Sequence, residues 1–171
     1  MILINRAAFE ISLLEFPILI NGADKTGASH YSIELLAELY KAGNKIMFFS
    51  GYEMAKTSFK KLTGDSFDTE KVLILEDANE TQLVEVLDTL PDIHDRILYI
   101  KNFDLYSQQT IEKILSFSKL LFMGNLESAK TKDVIESFEW KTKIWFGRPE
   151  VEKYYAVIES EKLSGVTYSK E

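Results

Sequence analysis

Short apolar runs alternate along this chain with longer segments of helical period, and that alternation restricts the fold more than any other feature. The runs are Phe16–Asn21 (FPILIN), Asn44–Ser50 (NKIMFFS), Lys71–Leu75 (KVLIL), Arg96–Lys101 (RILYIK), Lys119–Met123 (KLLFM) and Lys143–Phe146 (KIWF). Runs apolar on both pleat faces suit strands buried on two sides. Between them, Ser29–Lys41, Glu53–Leu62, Glu80–Leu90, Gln108–Phe117 and a short Lys132–Phe138 read as helices; the first carries Ile33, Leu35, Leu36, Leu39 and Tyr40 at helical spacing. Gly43-Asn44, Gly64 and Pro91 supply the stops. At the end, Tyr154–Glu159 and Val166–Ser169 flank Lys162-Leu163-Ser164-Gly165 and predict a closing antiparallel hairpin. Without repeat, linker or low-complexity tract, the pattern predicts one α/β domain over residues 1–171. Its layers are a mostly parallel central sheet with helices on both sides, plus the hairpin.

Composition then closes several branches of chemistry. There is no cysteine, which excludes disulfides, thiolate metal sites and a cysteine nucleophile. His30 and His94 are the only histidines, too few for a histidine-rich metal centre. With 27 acidic and 20 basic residues, the net charge of −7 disfavours nucleic-acid binding through general attraction to phosphates. Met1–Phe16 is apolar in flavour but interrupted by Glu10 and Glu15, so it reads as mature protein rather than a secretion signal. No run reaches the roughly 18 apolar residues of a membrane span, and a cytoplasmic protein is expected.

In sheets of this type, ligands sit beyond the carboxyl ends of the strands. Directly after FPILIN comes Gly22-Ala23-Asp24-Lys25-Thr26-Gly27-Ala28-Ser29, then His30 and a helix. The segment resembles the phosphate-binding pattern G-x-x-x-x-G-K-[ST], with alanine in place of lysine. Glycines let backbone N–H groups curl around phosphate oxygens, and the helix presents its positive dipole end. The missing lysine is the group that offsets charge on the outer phosphates, so Ala28 argues against ordinary hydrolysis. Lys25 could fold back over a phosphate in its stead. Equally, the loop could be a plain strand-to-helix connection in which Ser29 caps the helix.

The resemblance continues through Ala42-Gly43-Asn44-Lys45-Ile46-Met47-Phe48-Phe49-Ser50-Gly51-Tyr52-Glu53, which is similar to the second-strand region of RecA/RadA/KaiC-class P-loop ATPases. There a "G-x-K-V-L-Y-x-S-G-E-E" type sequence carries acids at the strand end; here the two acidic positions hold Tyr52 and Glu53. Val72–Glu76, Thr81–Leu90 and Arg96–Ser107 follow that class in order, so the likeness spans roughly residues 16–127. It implies a RecA-like fold, a nucleotide at Gly22–His30 (ATP or ADP with Mg2+) and, in an active enzyme, Ser29 as a metal ligand and Glu53 orienting a water, although a Glu opening a helix also suits the dipole in any protein. The magnesium-organising aspartate is expected at the end of ILYI, where Lys101 stands; the nearest acid is Asp104, with Asp77 a rival.

Losing the phosphate lysine, one strand-end acid and the metal aspartate removes separate components of hydrolysis. The resemblance, so altered, implies a weakened or inactive domain that serves as a nucleotide-binding or structural and regulatory subunit, in a homo-oligomer or with a protein partner. An ATPase using Lys25 is the alternative, and a DNA-handling accessory role is a third. Lys143 and Arg148 could serve a neighbouring subunit's nucleotide, and Trp140, Trp145, Tyr154 and Tyr155 could form a contact surface or complete the core.

Overall fold

The computed structural model describes residues 14–22, 26–50, 53–64, 67–76, 79–101, 103–104, 106–124, 128–150, 153–162 and 164–170. For 50, 53–55, 76, 148–150, 153–157 and 164–170 it describes the path of the chain only. The elements run β1 Ile18–Asn21, α1 Ala28–Lys41, β2 Ile46–Ser50, α2 Glu53–Thr63, β3 Val72–Glu76, α3 Glu80–Thr89, β4 Ile97–Lys101, α4 Gln108–Leu115, β5 Leu120–Gly124 and α5 Ala129–Ser137. Then come β6 Thr142–Glu150, β7 Lys153–Ser160 and β8 Ser164–Lys170. One eight-stranded sheet has the order β3-β2-β4-β5-β1-β6-β7-β8. Its first six strands are parallel and the last two antiparallel, as the alternation and the closing hairpin predict.

The period of two in each strand divides the interior into two cores. Ile18, Ile20, Ile46, Phe48, Ile97, Tyr99, Leu121 and Ile144 pack under α1 and α2. Leu19, Met47, Phe49, Leu98, Ile100, Leu120 and Phe122 pack under α3, α4 and α5 with Leu83, Ile111, Val134 and Trp140. In the first core the Phe48 and Tyr99 rings stack at 5.0 Å, an arrangement worth about 0.5–1.5 kcal/mol beyond its area. The chain thus winds outward from β1 to β3 over one face and returns to β6 over the other. The adjacent strands β1 and β5 send their helices to opposite faces, which places a switch point between them.

Three local differences from the sequence reading have physical causes. Helix α5 begins at Ala129 rather than Lys132 because the Ser128 side chain accepts from the Thr131 N–H, closing the first turn. Strand β6 extends through Gly147 and Pro149 to Glu150, with a register irregularity between Gly147 and Glu150 that accommodates the proline. A 3-10 turn, Ile93–Asp95, precedes β4 and delivers Arg96 to the amino edge of the sheet.

Arg96 is buried, and its guanidinium joins the starts of three strands. Nη1 donates to the carbonyls of Ile46 and Lys71 (both 3.2 Å), and Nη2 to that of Glu70 (2.8 Å). Nε and Nη2 hold the Asp92 carboxylate in a fork at 3.0 and 3.1 Å, and Lys45 donates to the same carboxylate at 2.8 Å. Arg96, followed by Lys45, holds the Asp92 carboxyl down at about 2.

Candidate functional site

The glycine loop leaves β1 at the sheet's carboxyl edge, and packing accounts for one of its glycines and backbone conformation for the other. The Gly22 N–H donates to the Gly124 carbonyl (3.3 Å), tying the loop's start to the end of β5. A Cβ on Gly22 would stand 2.6 Å from both Ala28 Cβ and Thr26 Oγ1, and 3.0 Å from Phe146 Cβ. Only glycine fits there. Gly27 takes φ 85°, the left-handed region, and serves as N-cap of α1 without a side chain to offer. Ser29 therefore lies inside the first turn rather than at the cap.

Helices α3, α4 and α5 at this edge are closed by their own residues. Asn79 forms a capping box with Gln82 on α3, Ser107 accepts from the Thr110 N–H on α4, and Ser128 caps α5. Helix α1 opens on a glycine, and among the described residues no side chain caps it; residues 23–25 before it lie outside them.

The described side chains around that terminus make few polar contacts of their own with it. Ala28, in the lysine's place, is 1% exposed and turned into the first core. Ser29 Oγ lies 3.9 Å from Met123 Sδ. His30 is exposed and its Nε2 sits 3.1 Å from Glu34 Oε1, an i,i+4 contact along the helix. A relay runs from β4 to the first turn of α1. The Ser32 hydroxyl donates to the Ser29 carbonyl (2.7 Å), so the Tyr99 hydroxyl donates to Ser32 Oγ (2.9 Å). Burial pushes the Tyr99 phenol up to about 12, which keeps that proton in place; the Ser32 bond opposes the shift only in part.

Lys101 closes β4 two residues beyond Tyr99, on the same pleat face, and is paired in register with Met123. Asp104, exposed in the following turn, accepts from the Ser128 hydroxyl at the head of α5. The loops after β3, β4 and β5 are further joined by Ser107, whose N–H and hydroxyl donate to Glu80 at 2.8 and 2.6 Å, and by Lys130, which donates to the Tyr106 carbonyl at 2.9 Å. The Ser107 hydroxyl is the main cause of a lowered Glu80 carboxyl, and burial raises the Tyr106 phenol.

Magnesium asks for an octahedron of oxygens, usually including one or two carboxylates. Of the residues expected as its ligands, Ser29 Oγ lies beside the Met123 thioether and Asp104 accepts from the Ser128 hydroxyl, while β4 ends on Lys101. No group of three His, Asp or Glu side chains among the described residues could hold a metal. Ala23, Asp24, Lys25, Tyr52 and Asp77 lie outside the described residues, as do the side chains of Glu53, Arg148, Tyr154 and Tyr155. Trp140 is buried in the second core, stacked on Phe122 at 5.7 Å, and Trp145 packs against the same core while its Nε1 donates to Glu159 at 3.3 Å.

Sequence reasoning passed over Asn21. It ends β1 within the buried run, and its Oδ1 is buried without a hydrogen-bond partner. Its signal was a polar residue closing an otherwise apolar strand immediately before the loop. Ser32, fully buried in α1 and paired with Tyr99, carried the same signal inside a helix.

No family model and no curated relative matches the sequence. Among solved structures, the chain is similar to the flagellar accessory protein FlaH from Methanocaldococcus jannaschii, with a TM-score of 0.60 at 12% identity. The match covers 84% of this chain and 77% of that one. At that identity the likeness speaks for the fold alone, and the fold it supports is RecA-like.

Proposed function

We propose that this chain is a non-hydrolysing RecA-like domain that holds the phosphates of a nucleotide at the amino terminus of α1 and works as a regulatory or structural subunit of an assembly. The observation that carries the reading is the pairing of a glycine-opened α1 with Ala28. Gly27 begins the helix in the left-handed region at the sheet's carboxyl edge, and the side chain that would stabilise charge during phosphoryl transfer is replaced by a buried methyl group. Backbone N–H groups and a dipole end provide affinity that is uniform between ground and transition states, so they support binding without turnover. Lys101 in place of a strand-end acid supports the same conclusion.

With neither the motif lysine nor a fitted metal, the expected affinity is modest, a Kd of about 0.1–1 mM, or roughly −4 to −5.5 kcal/mol. Isothermal titration of the purified chain with ATP and ADP, beside a phosphate-release assay, tests this. Heat of binding and a raised Tm without phosphate release are expected. Turnover that disappears in Lys25→Ala would overturn the non-hydrolysing reading. No heat and no thermal shift at millimolar nucleotide would remove the nucleotide and leave a scaffold.

A further inference from the structure

The sheet ends on two unlike edges. Strand β8 contains Gly165 and Lys170, and its ladder with β7 is irregular between Ala156 and Val157, devices that discourage a further strand. Strand β3 has none of them. It reads VLILE, without glycine, proline or lysine, and pairs regularly with β2 from Ile46↔Val72 to Ser50↔Glu76. Among the described residues no strand lies on its other side. We infer that this edge is an interface whose occupant is the β3 of a second copy, running antiparallel about a two-fold axis at Ile74. The proposed function leaves the other members of the assembly unnamed; this interface supplies one, and it stands whether or not a nucleotide binds.

Backbone direction favours the register. The Ile46 N–H donates to the Lys71 carbonyl at 2.8 Å, so in a parallel ladder residues 71, 73 and 75 bond to β2, while 72, 74 and 76 turn their N–H and C=O groups outward. Of these, the Val72 N–H is taken by the Asp68 carbonyl at 3.0 Å. Centring a second β3 on Ile74 gives every residue of the strand a partner. Ile74 then exchanges both bonds with its counterpart, as a hydrogen-bonded antiparallel pair does, and each Glu76 N–H reaches the other copy's Val72 carbonyl.

The side chains agree with the backbone. An axis normal to the sheet keeps like faces together, so Ile74 meets Ile74 on the α2 side and Leu73 meets Leu75 on the α3 side. All three are only partly buried, as are Leu62 and Phe67 on the first face and Val86 on the second. Both cores are thus open at this end of the sheet, and a second copy brings apolar surface to each. The antiparallel direction also sets the end with exposed Lys71 beside the end with Glu76, opposite charges that a parallel neighbour would keep apart.

Analytical ultracentrifugation of the full chain should show a dimer, twice the 19.6 kDa chain mass, that dissociates on dilution. Ile74→Pro removes the outward N–H and leaves the ladder to β2 intact, and Leu73→Lys puts a charge on the edge; each should weaken the dimer about tenfold or more, with the fold checked by circular dichroism. The chain has no cysteine, so Ile74→Cys carries a single thiol. In the paired strands its Cα would lie about 5.5 Å from its counterpart, within a disulfide's span. Mild oxidation should therefore give a covalent dimer, while Lys132→Cys, exposed on α5, should stay monomeric. A monomeric wild type would overturn the inference, and protection of the Ile74 amide from hydrogen exchange in that monomer would assign the edge to a segment of the same chain. A dimer unchanged in folded Ile74→Pro and Leu73→Lys would also overturn it, placing the contact elsewhere. Should neither variant fold, oxidation decides: equal crosslinking of Ile74→Cys and Lys132→Cys would overturn the interface. None of these outcomes bears on the nucleotide titration, which tests the proposed function separately.

Discussion

Replacing Arg96 with methionine keeps most of the aliphatic stem and removes the fork, which isolates the guanidinium's contribution to the sheet. Three main-chain carbonyls, those of Ile46, Glu70 and Lys71, lose a charged donor, although the Lys71 carbonyl keeps the Ile46 N–H at 2.8 Å. At about 1 kcal/mol for each acceptor left short of a partner, the expected loss is roughly 2–3 kcal/mol. For a chain of this size that corresponds to a fall in Tm of about 5–10 °C. Urea unfolding followed by tryptophan fluorescence should show a lower midpoint with an unchanged slope, because the surface exposed on unfolding is the same. Arg96→Lys should recover only part of the loss, since a single ammonium cannot span three carbonyls and a carboxylate. Asp92 adds a pH signature. Its folded value of about 2 lies below the ordinary 3.8, so its contribution is present above pH 4 and disappears as pH falls through about 2. The stability gap between wild type and Asp92→Asn should therefore close between pH 5 and pH 2. A loss below about 1 kcal/mol in Arg96→Met, or wild-type stability in Arg96→Lys, would refute the clamp.

Gly22→Ala forces a methyl group to 2.6 Å from Ala28 Cβ and Thr26 Oγ1, and overpacking of this kind costs about 1–3 kcal/mol. Thermal unfolding should show the loss, and unchanged stability would mean that the loop opens easily. Ser32→Ala should cost more than Tyr99→Phe. The first strands a buried phenol at about 1–3 kcal/mol, whereas the second leaves Ser32 its bond to the Ser29 carbonyl. A double-mutant cycle should give coupling of about 1 kcal/mol, and additive single losses would dissolve the relay.

The architecture was legible because buried parallel strands are written as uninterrupted apolar runs, and every such run from Ile18 to Phe146 lies in the sheet. Strand order was not. The pairing of β1 with β5 and β6 depends on loop lengths and on which face each helix covers, neither of which is encoded in any one segment. Of the candidate site, the glycines and Ala28 could be located by spacing alone. What Ser29, His30 and Asp104 touch could not, because Met123 and Ser128 arrive from distant parts of the chain. Arg96 was invisible for a related reason: before an apolar run it reads as a solvated strand start, and only the 3-10 turn at Ile93–Asp95 carries it beneath three strands.

The positions of these two groups of residues also separate what holds the sheet together from what the proposed function would use. Arg96 and Asp92 work at the amino edge, and the two cores occupy the middle of the strands. Ala28 and Lys101 stand at the carboxyl edge, beyond most of that packing. At position 28 the alanine even suits the fold, since its methyl group fills space against Gly22 and removes the need to desolvate a lysine stem there. Lys101 is partly exposed. Neither position belongs to the clamp at the amino edge, so the two ends of the sheet can vary separately. What stability does constrain is the backbone of the loop. Gly22 is required by its neighbours whether or not a phosphate ever binds, which makes the presence of that glycine weak support for a ligand by itself.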